Sequence, residues 1–596
     1  MLNPDKRSMV TELLTPPPGM VLDSAIATTY TLDPTTLLTV PLHLAWLSSG
    51  EDKALLSDGI RLFEALRRIG ENLTVYTDRG RIHVPTQAHP LYSLLETMIV
   101  EVRAPGGGAF HPKIWVLRFV KPGAETEISL RLGILSRNLT TDRSWDLALM
   151  LEGKPGRKYI AANREIGEFI RDLPTFATSK VPKAREAAAA LLGDEVRRTQ
   201  WDQPAGWDEV TFHVLGRSRR AWTPPPSKHM VIISPFLTAG ALDALRKTTK
   251  SPIALVSRPD QLAALTTEMR GHFARCLVLD EAAESGNGED TTLWDTFGLH
   301  AKALILRCGW NTRLFVGSLN ATSAAMVQGH NVEVWAELVG KSSKVGCVDT
   351  LLAGDGLGGV LTAFDPTTPV VEMDSEQKQA ELALEAARSA LIVAPLSVAC
   401  NRHDRDWCLT LRSTAPVTLG PVAIFAWPLS IHDEQALAAD GLVEGGDVNL
   451  GVVATADVTG MIGFILKKGS FDVRFALNLP LENLPPDRDG ALARRIIQNR
   501  DGFLRYLLML LGNLACEEIG EGNGAAGATM TWTMVDGTGP TLLEEMVRAF
   551  ARDRERLDDV KRLVDCLSVG DTDHDVVPVE FLAVWDVFLQ AMETRK

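Results

Sequence analysis

Two stretches of the chain carry the same hydrophobic signature. In FHPKIWVLRF (110–119), a period of two puts His111, Lys113, Trp115 and Leu117 on one face and Pro112, Ile114 and Val116 on the other. LHAKALILRC (299–308) repeats the pattern with His300, Lys302, Leu304 and Leu306. Apolar residues on both faces predict central strands covered by helices on each side. MVIISPFL (230–237) and IALVS (253–257) read as buried strands, and 58–69 and 239–247 as helices, so the pattern predicts an α/β fold.

The likeness extends beyond the strands. LGILSRNLT, ending at Thr140, matches LFVGSLNAT, ending at Thr322, as an apolar run followed by Ser-x-Asn-x-Thr. WDLALMLEG (145–153) matches VEVWAELVG (332–340), with Asp146 and Glu333 each seven residues before a glycine. Three blocks therefore recur in one order in two copies, an internal duplication. Residues 1–205 and 206–365 are read as the two α/β halves, with the rigid Trp-Thr-Pro-Pro-Pro at 222–226 as a connection before the second repeat. GlyAsnGly at 286–288 is read as a surface loop, and DPTTP at 365–369 as the boundary of a third region, 366–596. That region is expected to be an accessory α+β domain. It should have a helix over 375–391, strands at 408–412 and 471–477, and a helix over 490–511. A glycine-rich hinge at 521–527 and helices over 541–567 and 579–593 should follow. In the 541–567 helix Met546, Val547, Phe550, Leu557, Val560 and Val564 recur at helical spacing.

Composition narrows the class. The 596 residues (64.9 kDa) are 45% hydrophobic and 23% charged, which excludes a disordered or low-complexity chain. No apolar run approaches the ~18 residues of a membrane span. The first residues lack a signal-peptide pattern and the last carry no lipidation signal. Seven cysteines, none in a Cys-x-x-Cys pair, point to a reducing cytoplasm and against a thiolate metal site. A net charge of −14 alone disfavours a nucleic-acid binder, but residues 366–596, with 21 Lys+Arg against 35 Asp+Glu, account for all of it. The first 365 residues are neutral and can hold a phosphodiester.

The duplicated His-x-Lys, Ser-x-Asn and carboxylate series resembles the phospholipase D superfamily, whose mark is a repeated His-Lys motif with a downstream Ser-x-Asn element. GlySerLeuAsnAlaThr at 317–322 follows that pattern closely; the first copy has Leu135 where the glycine usually stands. Arg118 and Arg307 occupy positions where an aspartate often lies. In this the chain is similar to the tyrosyl-DNA phosphodiesterase and bacterial nuclease-like branches rather than the lipid hydrolases. The resemblance covers about residues 20–350 and says nothing of the rest. It implies two pseudo-twofold-related phospholipase D-like α/β/α halves in one chain. It also implies a DNA nuclease, in the setting of phage defence beside a helicase or translocase ATPase.

The residue types suit that chemistry. A phosphodiester is anionic and has a poor leaving group; an imidazole nucleophile divides one hard displacement into two easier ones. A second imidazole then protonates the leaving oxygen and later takes a proton from water. Lys113 and Lys302 can neutralise the non-bridging oxygens, Asn138 and Asn320 can donate to them, and Ser136 and Ser318 can orient neighbouring groups. Asp146 and Glu333 are each expected to hold Nδ1 of the histidine in their own half, leaving Nε2 to react. Two lysines make a metal or other cofactor unnecessary. Residues alone leave open which histidine attacks; the resemblance makes His111 the nucleophile and His300 the general acid.

Other features have plainer readings. His330 is read as a loop residue, and His213, His229 and His272 lack ligand spacing. Gly106 to Gly108 precedes a strand, so it is no phosphate loop; it permits a close approach at the mouth of the site. Arg217, Arg219 and Arg220 beside Trp222 are either a solvated connector or a nucleic-acid-binding patch that tracks phosphates and stacks bases. Both half-sites lie in one chain, so an oligomer is not required. Alternative functions are phospholipid hydrolysis and a non-catalytic assembly role.

Overall fold

The computed structural model describes residues 10–45, 59–142, 144–217, 220–280, 298–353, 356–367, 375–511, 542–552, 554–568 and 576–594. The GlyAsnGly loop at 286–288, the glycine-rich stretch at 521–527 and Arg219 lie outside the described residues.

The first sheet contains β1 (Val21–Thr29), β2 (Leu73–Asp78), β3 (Ile99–Val102), β4 (Ile114–Lys121), β5 (Ala124–Leu135), β6 (Ala148–Pro155) and β7 (Thr199–Trp201), in the order β3-β2-β1-β4-β5-β6-β7. The second contains β8 (Glu209–Leu215), β9 (Ser227–Ile233), β10 (Thr249–Val256), β11 (Arg275–Leu279), β12 (Ala303–Cys308), β13 (Asn311–Gly317), β14 (Glu333–Lys341) and β15 (Leu361–Ala363), ordered β15-β11-β10-β9-β12-β13-β14-β8. From β3 to β6 and from β11 to β14 the two orders coincide. So do the senses: β1 pairs parallel with β2 and antiparallel with β4, as β9 does with β10 and β12.

Parallel pairs need a crossover, and helices supply it. Pro34–Leu44 follows β1 and starts at Asp33, whose carboxylate accepts the N–H groups of Thr35 and Thr36. Ala239–Arg246 follows β9 and is capped by the Thr238 hydroxyl.

Alternation sorts each central strand between two cores. On β4, Trp115, Leu117 and Phe119 join an outer core with helices Pro34–Leu44 and Gly59–Ile69, whereas Val116 joins an inner one. On β12, Leu304 and Leu306 pack outward against Leu242 and Leu245, and Ile305 packs inward. The inner core is common to both sheets and includes Phe169 and Leu192 from helices Arg164–Asp172 and Lys183–Arg198. This shared core joins the two sheets.

Residues beyond 366 contribute to two cores. Helix Ser375–Val393 covers two four-stranded sheets around Leu391, Val398, Leu411, Phe464 and Phe475. The terminal helices instead enter the outer core of the first sheet through Leu507, Leu557 and Phe581. The expected 490–511 helix is two, Arg488–Ile497 and Arg500–Leu511, because Gln498 takes a φ of 59° between them. The 541–567 helix likewise divides into Leu542–Arg552 and Glu555–Ser568. Among the described residues no helix is long and apolar enough to cross a membrane.

Candidate active site

The His-x-Lys tripeptides lie just ahead of β4 and β12, in extended chain outside the regular ladders. Each is held by the opposite half. The N–H of His111 donates to Val332 O (3.0 Å), and the N–H of His300 donates to Trp145 O (2.9 Å). Reciprocally, Val332 N–H donates to Ala109 O and Trp145 N–H to Gly298 O, both at 2.9 Å. Phe110 thus bridges to Val332 and Leu299 to Trp145.

These bridges decide the side-chain pairing. Val332 and Trp145 immediately precede Glu333 and Asp146, so each histidine is carried to the carboxylate of the other half. His111 Nδ1 lies 2.9 Å from Glu333 Oε2, and His300 Nδ1 lies 2.8 Å from Asp146 Oδ1. The expectation of pairing within each half is therefore corrected: the pairs are crossed. What each half supplies to its own carboxylate is serine. Ser136 Oγ donates to Asp146 Oδ1 (2.7 Å) and accepts the Leu147 N–H (2.8 Å). Ser318 Oγ donates to Glu333 and accepts the Val334 N–H (3.0 Å). Both serines are buried, so they orient carboxylates.

Lys113 and Lys302 are 1% and 0% exposed. Lys113 Nζ donates to His111 O (3.0 Å); Lys302 Nζ donates to His300 O (2.7 Å) and Ser136 O (3.3 Å). Among the described residues neither makes an ion pair, although burying an unpaired ammonium is costly. Both ammonium groups lie in the field of Glu333 and Asp146 without bonding to either. Asn138 Oδ1 accepts the Thr31 N–H (3.4 Å), and the buried Oδ1 of Asn320 has no hydrogen-bond partner among the described residues.

Burial dominates the electrostatics. It pulls His111 down to about 4, against the opposing pull of Glu333 and with help from Lys113 and Lys302. It also lowers His300, aided by Lys302 and Lys113 and opposed by Asp146. Each imidazole thus feels both lysines, which places the four groups in one field. Burial brings Lys302 down to about 8 and Lys113 well below the usual lysine range. Asp146 is lowered: burial acts the other way but is outweighed by His300, Lys302 and Ser136. Burial thus favours the neutral form of both imidazoles, and the carboxylate at each Nδ1 leaves Nε2 as the nitrogen that can react.

Gly106 and Gly108 run against the chain at His330 and Asn331; a Cβ on Gly108 would lie 2.6 Å from His330 O. Asn331 Oδ1 accepts the Ala109 N–H (3.0 Å), so this loop secures the bridge beside His111. His213 is bonded to Glu337 at 2.7 Å.

The suggested nucleic-acid patch is not brought together with these groups. Trp222, a half-buried ring at the edge of the second half's core, stacks on Trp335, 5.8 Å apart at 14°, and packs on Phe315. Arg217 is paired with Asp172 and lies 3.9 Å from Glu168, which neutralises it. Arg220 is exposed. The Trp222 ring thus has one face stacked on Trp335, with Phe315 packed edge-on beside it.

Two side chains that motif reading missed border His111. The ring of Tyr30 lies 5.1 Å from the imidazole, with Lys113 Nζ 5.8 Å and Arg81 5.0 Å from its centre. Asp78 Oδ1 accepts the Phe110 N–H (3.0 Å), and burial raises this carboxyl to about 7. The available signal was a fourth repeat block. Thr29-Tyr30-Thr31-Leu32-Asp33 matches Ser234-Pro235-Phe236-Leu237-Thr238, each a hydroxyl residue, then leucine, then a helix cap.

Among the described residues no group of three or more His, Cys, Asp or Glu side chains is placed to hold a metal ion. No family model matches the chain, and no curated protein matches it. Among solved structures, a mutant of yeast tyrosyl-DNA phosphodiesterase 1 is similar with a TM-score of 0.34 and 11% identity, over 58% of this chain and 88% of that one. Phosphatidylserine synthase from Haemophilus influenzae is similar with a TM-score of 0.30 and 12% identity, over 64% of this chain and 91% of that one.

Proposed function

We propose that the protein is a phosphodiesterase that cleaves nucleic acid, most simply DNA, through a phosphohistidine intermediate, its two related halves facing each other across a pseudo-twofold axis. One observation carries the reading: two buried lysines without carboxylate partners stand beside two imidazoles, each fixed by a carboxylate from the opposite half. An anion with one scissile bond between two bases fits that charge pattern.

In the proposed reaction His111 Nε2 attacks phosphorus and the bond to the leaving oxygen breaks. His300, which gains its proton as the anionic substrate binds, passes that proton to the leaving oxygen. Glu333 then faces a cationic, phosphorylated imidazole and stabilises it. In the second step His300 takes a proton from water, the oxygen attacks phosphorus, and the P–N bond breaks to return neutral His111. Lys113, Lys302 and the asparagine amides bear the charge on the non-bridging oxygens. The choice of nucleic acid over lipid follows the motif's resemblance to the nuclease-like branches, with Arg118 and Arg307 in the positions described.

The test incubates the purified protein with single- and double-stranded DNA, RNA and phospholipid vesicles in excess EDTA. Expected is nucleic-acid cleavage that survives chelation, with an acid-labile phosphoryl adduct on His111 absent from His111→Ala. Cleavage that requires added magnesium overturns the mechanism, and vesicle hydrolysis without nucleic-acid cleavage overturns the substrate.

A further inference from the structure

The loops that leave β1 and β9 are built alike. Thr29 Oγ1 accepts the Leu139 N–H (3.0 Å), and Ser234 Oγ accepts the Ala321 N–H (2.9 Å). Leu32 bridges to Leu139 and Leu237 to Ala321, the residues that follow Asn138 and Asn320. Both loops therefore run alongside a Ser-x-Asn element. The first places Tyr30 against His111, with Arg81 over its ring. The second offers an aromatic ring one position later, Phe236, with Arg258 5.9 Å from its centre.

The two pairs differ in access. Tyr30 is half-buried, with His111, Lys113 and Arg81 around its ring. Phe236 is 41% exposed, and the Arg258 side chain is 37% exposed with Asp260 at 3.5 Å. An exposed phenylalanine beside a guanidinium offers a face for an unpaired base and a charge for the adjoining phosphate. A duplex presents its bases already stacked and paired, so this combination suits a single strand.

We propose that Phe236 and Arg258 form the leaving-group subsite for single-stranded nucleic acid: the base beyond the scissile bond stacks on Phe236 and the next phosphate meets Arg258. The inference rests on the nuclease reading, and on His300 as the residue that protonates the leaving oxygen, since Phe236 stands on the His300 side.

The test compares kcat/KM on a single-stranded oligonucleotide with that on the same strand carrying one abasic residue, stepped through the positions flanking the cleaved bond. The wild type should lose about tenfold when the abasic residue follows the bond on the leaving side. Phe236→Leu should lose a similar factor on the intact strand, through KM, and be indifferent to the abasic residue; Phe236→Trp should restore the discrimination. Arg258→Gln should weaken both strands alike. Full discrimination retained by Phe236→Leu overturns the subsite while leaving the nuclease reading intact. If the wild type hydrolyses bis(4-nitrophenyl) phosphate but no oligonucleotide, the nuclease reading falls and the subsite with it.

Discussion

The His111 side and the His300 side use the same parts and differ in what stands behind them. Behind His111 are Tyr30, Asp78 and Arg81, and behind these helix Ser375–Val393 of the third region. Where the strand pairing matches Asp78 to a residue of the second half, it finds Arg258. The His111 side chain is 10% exposed and that of His300 20%. A nucleophile must be neutral and needs no exchange with water; an acid–base group must exchange a proton with water in every cycle. The asymmetry therefore favours attack by the enclosed ring and proton transfer by the open one, a choice the motifs alone leave undecided.

The largest effect should come from the histidines. His111→Ala should abolish turnover on every phosphodiester. His300→Ala should lose about 10²- to 10⁴-fold in the first turnover on an alkyl leaving group, the usual worth of a general acid, and much less in the first-turnover burst of a nitrophenolate, which departs unprotonated, while hydrolysis of the phosphohistidine slows for both. First-turnover rates on the two substrates measure this, and the opposite pattern would exchange the roles.

The crossed carboxylates sharpen the same comparison at somewhat lower cost. Glu333→Gln should behave as a weaker His111→Ala, slow by about 10²- to 10⁴-fold whatever the leaving group. Asp146→Asn should reproduce the leaving-group dependence of His300→Ala. Pairing within each half would give the reverse assignment.

The lysines add a pH signature. kcat/KM should already decline above the lowered value of His300, which must gain its proton, and should steepen as pH rises through about 8, where Lys302 loses the charge that binds the anion. The added loss from Lys302 should reach about tenfold one pH unit above that value. The acid limb should lie near 4, where the enclosed His111 gains a proton and stops being a nucleophile. Lys302→Arg should move the basic limb upward; an unmoved limb would assign it to Lys113, which burial also lowers.

The sequence shows the chemistry more fully than the geometry. Apolar alternation in 110–119 and 299–308 is strong because both strands are covered on both faces, and the repeat is legible because each block carries a polar group that cannot be replaced by packing. The crossing of the pairs is invisible, since it depends on the backbone bridges Phe110 to Val332 and Leu299 to Trp145 between distant segments. The stacking of Trp222 on Trp335 is invisible for a related reason, since the two residues are distant in the chain. The fourth block, with Tyr30 and Phe236, escapes notice because an aromatic residue ordinarily signals a core.

The smallest effect tests whether the third region supports the His111 side. Arg388, on helix Ser375–Val393, donates to Gly80 O, lies 5.3 Å from the centre of the Phe475 ring, and has a side chain 8% exposed. Arg79 Nε donates to Ile392 O (2.8 Å) on the same helix. Gly80 has a φ of +77°, and a Cβ there would come within 2.5 Å of Ile392. The Asp78–Arg81 loop is thus clamped between β2 and the helix, and Asp78 in turn holds the residue before His111. Arg388→Met keeps the stem but leaves a carbonyl without its donor, at a cost of about 1–3 kcal/mol in stability. If the clamp sets the position of His111, kcat should also drop by about two- to thirtyfold, the range of an indirect coupling of 0.5–2 kcal/mol. The drop should be equal for alkyl and nitrophenyl leaving groups, as for His111 and unlike His300. A stability loss in thermal unfolding with unchanged kcat on both substrates would show the helix to be a cover for the first half with no hold on its chemistry.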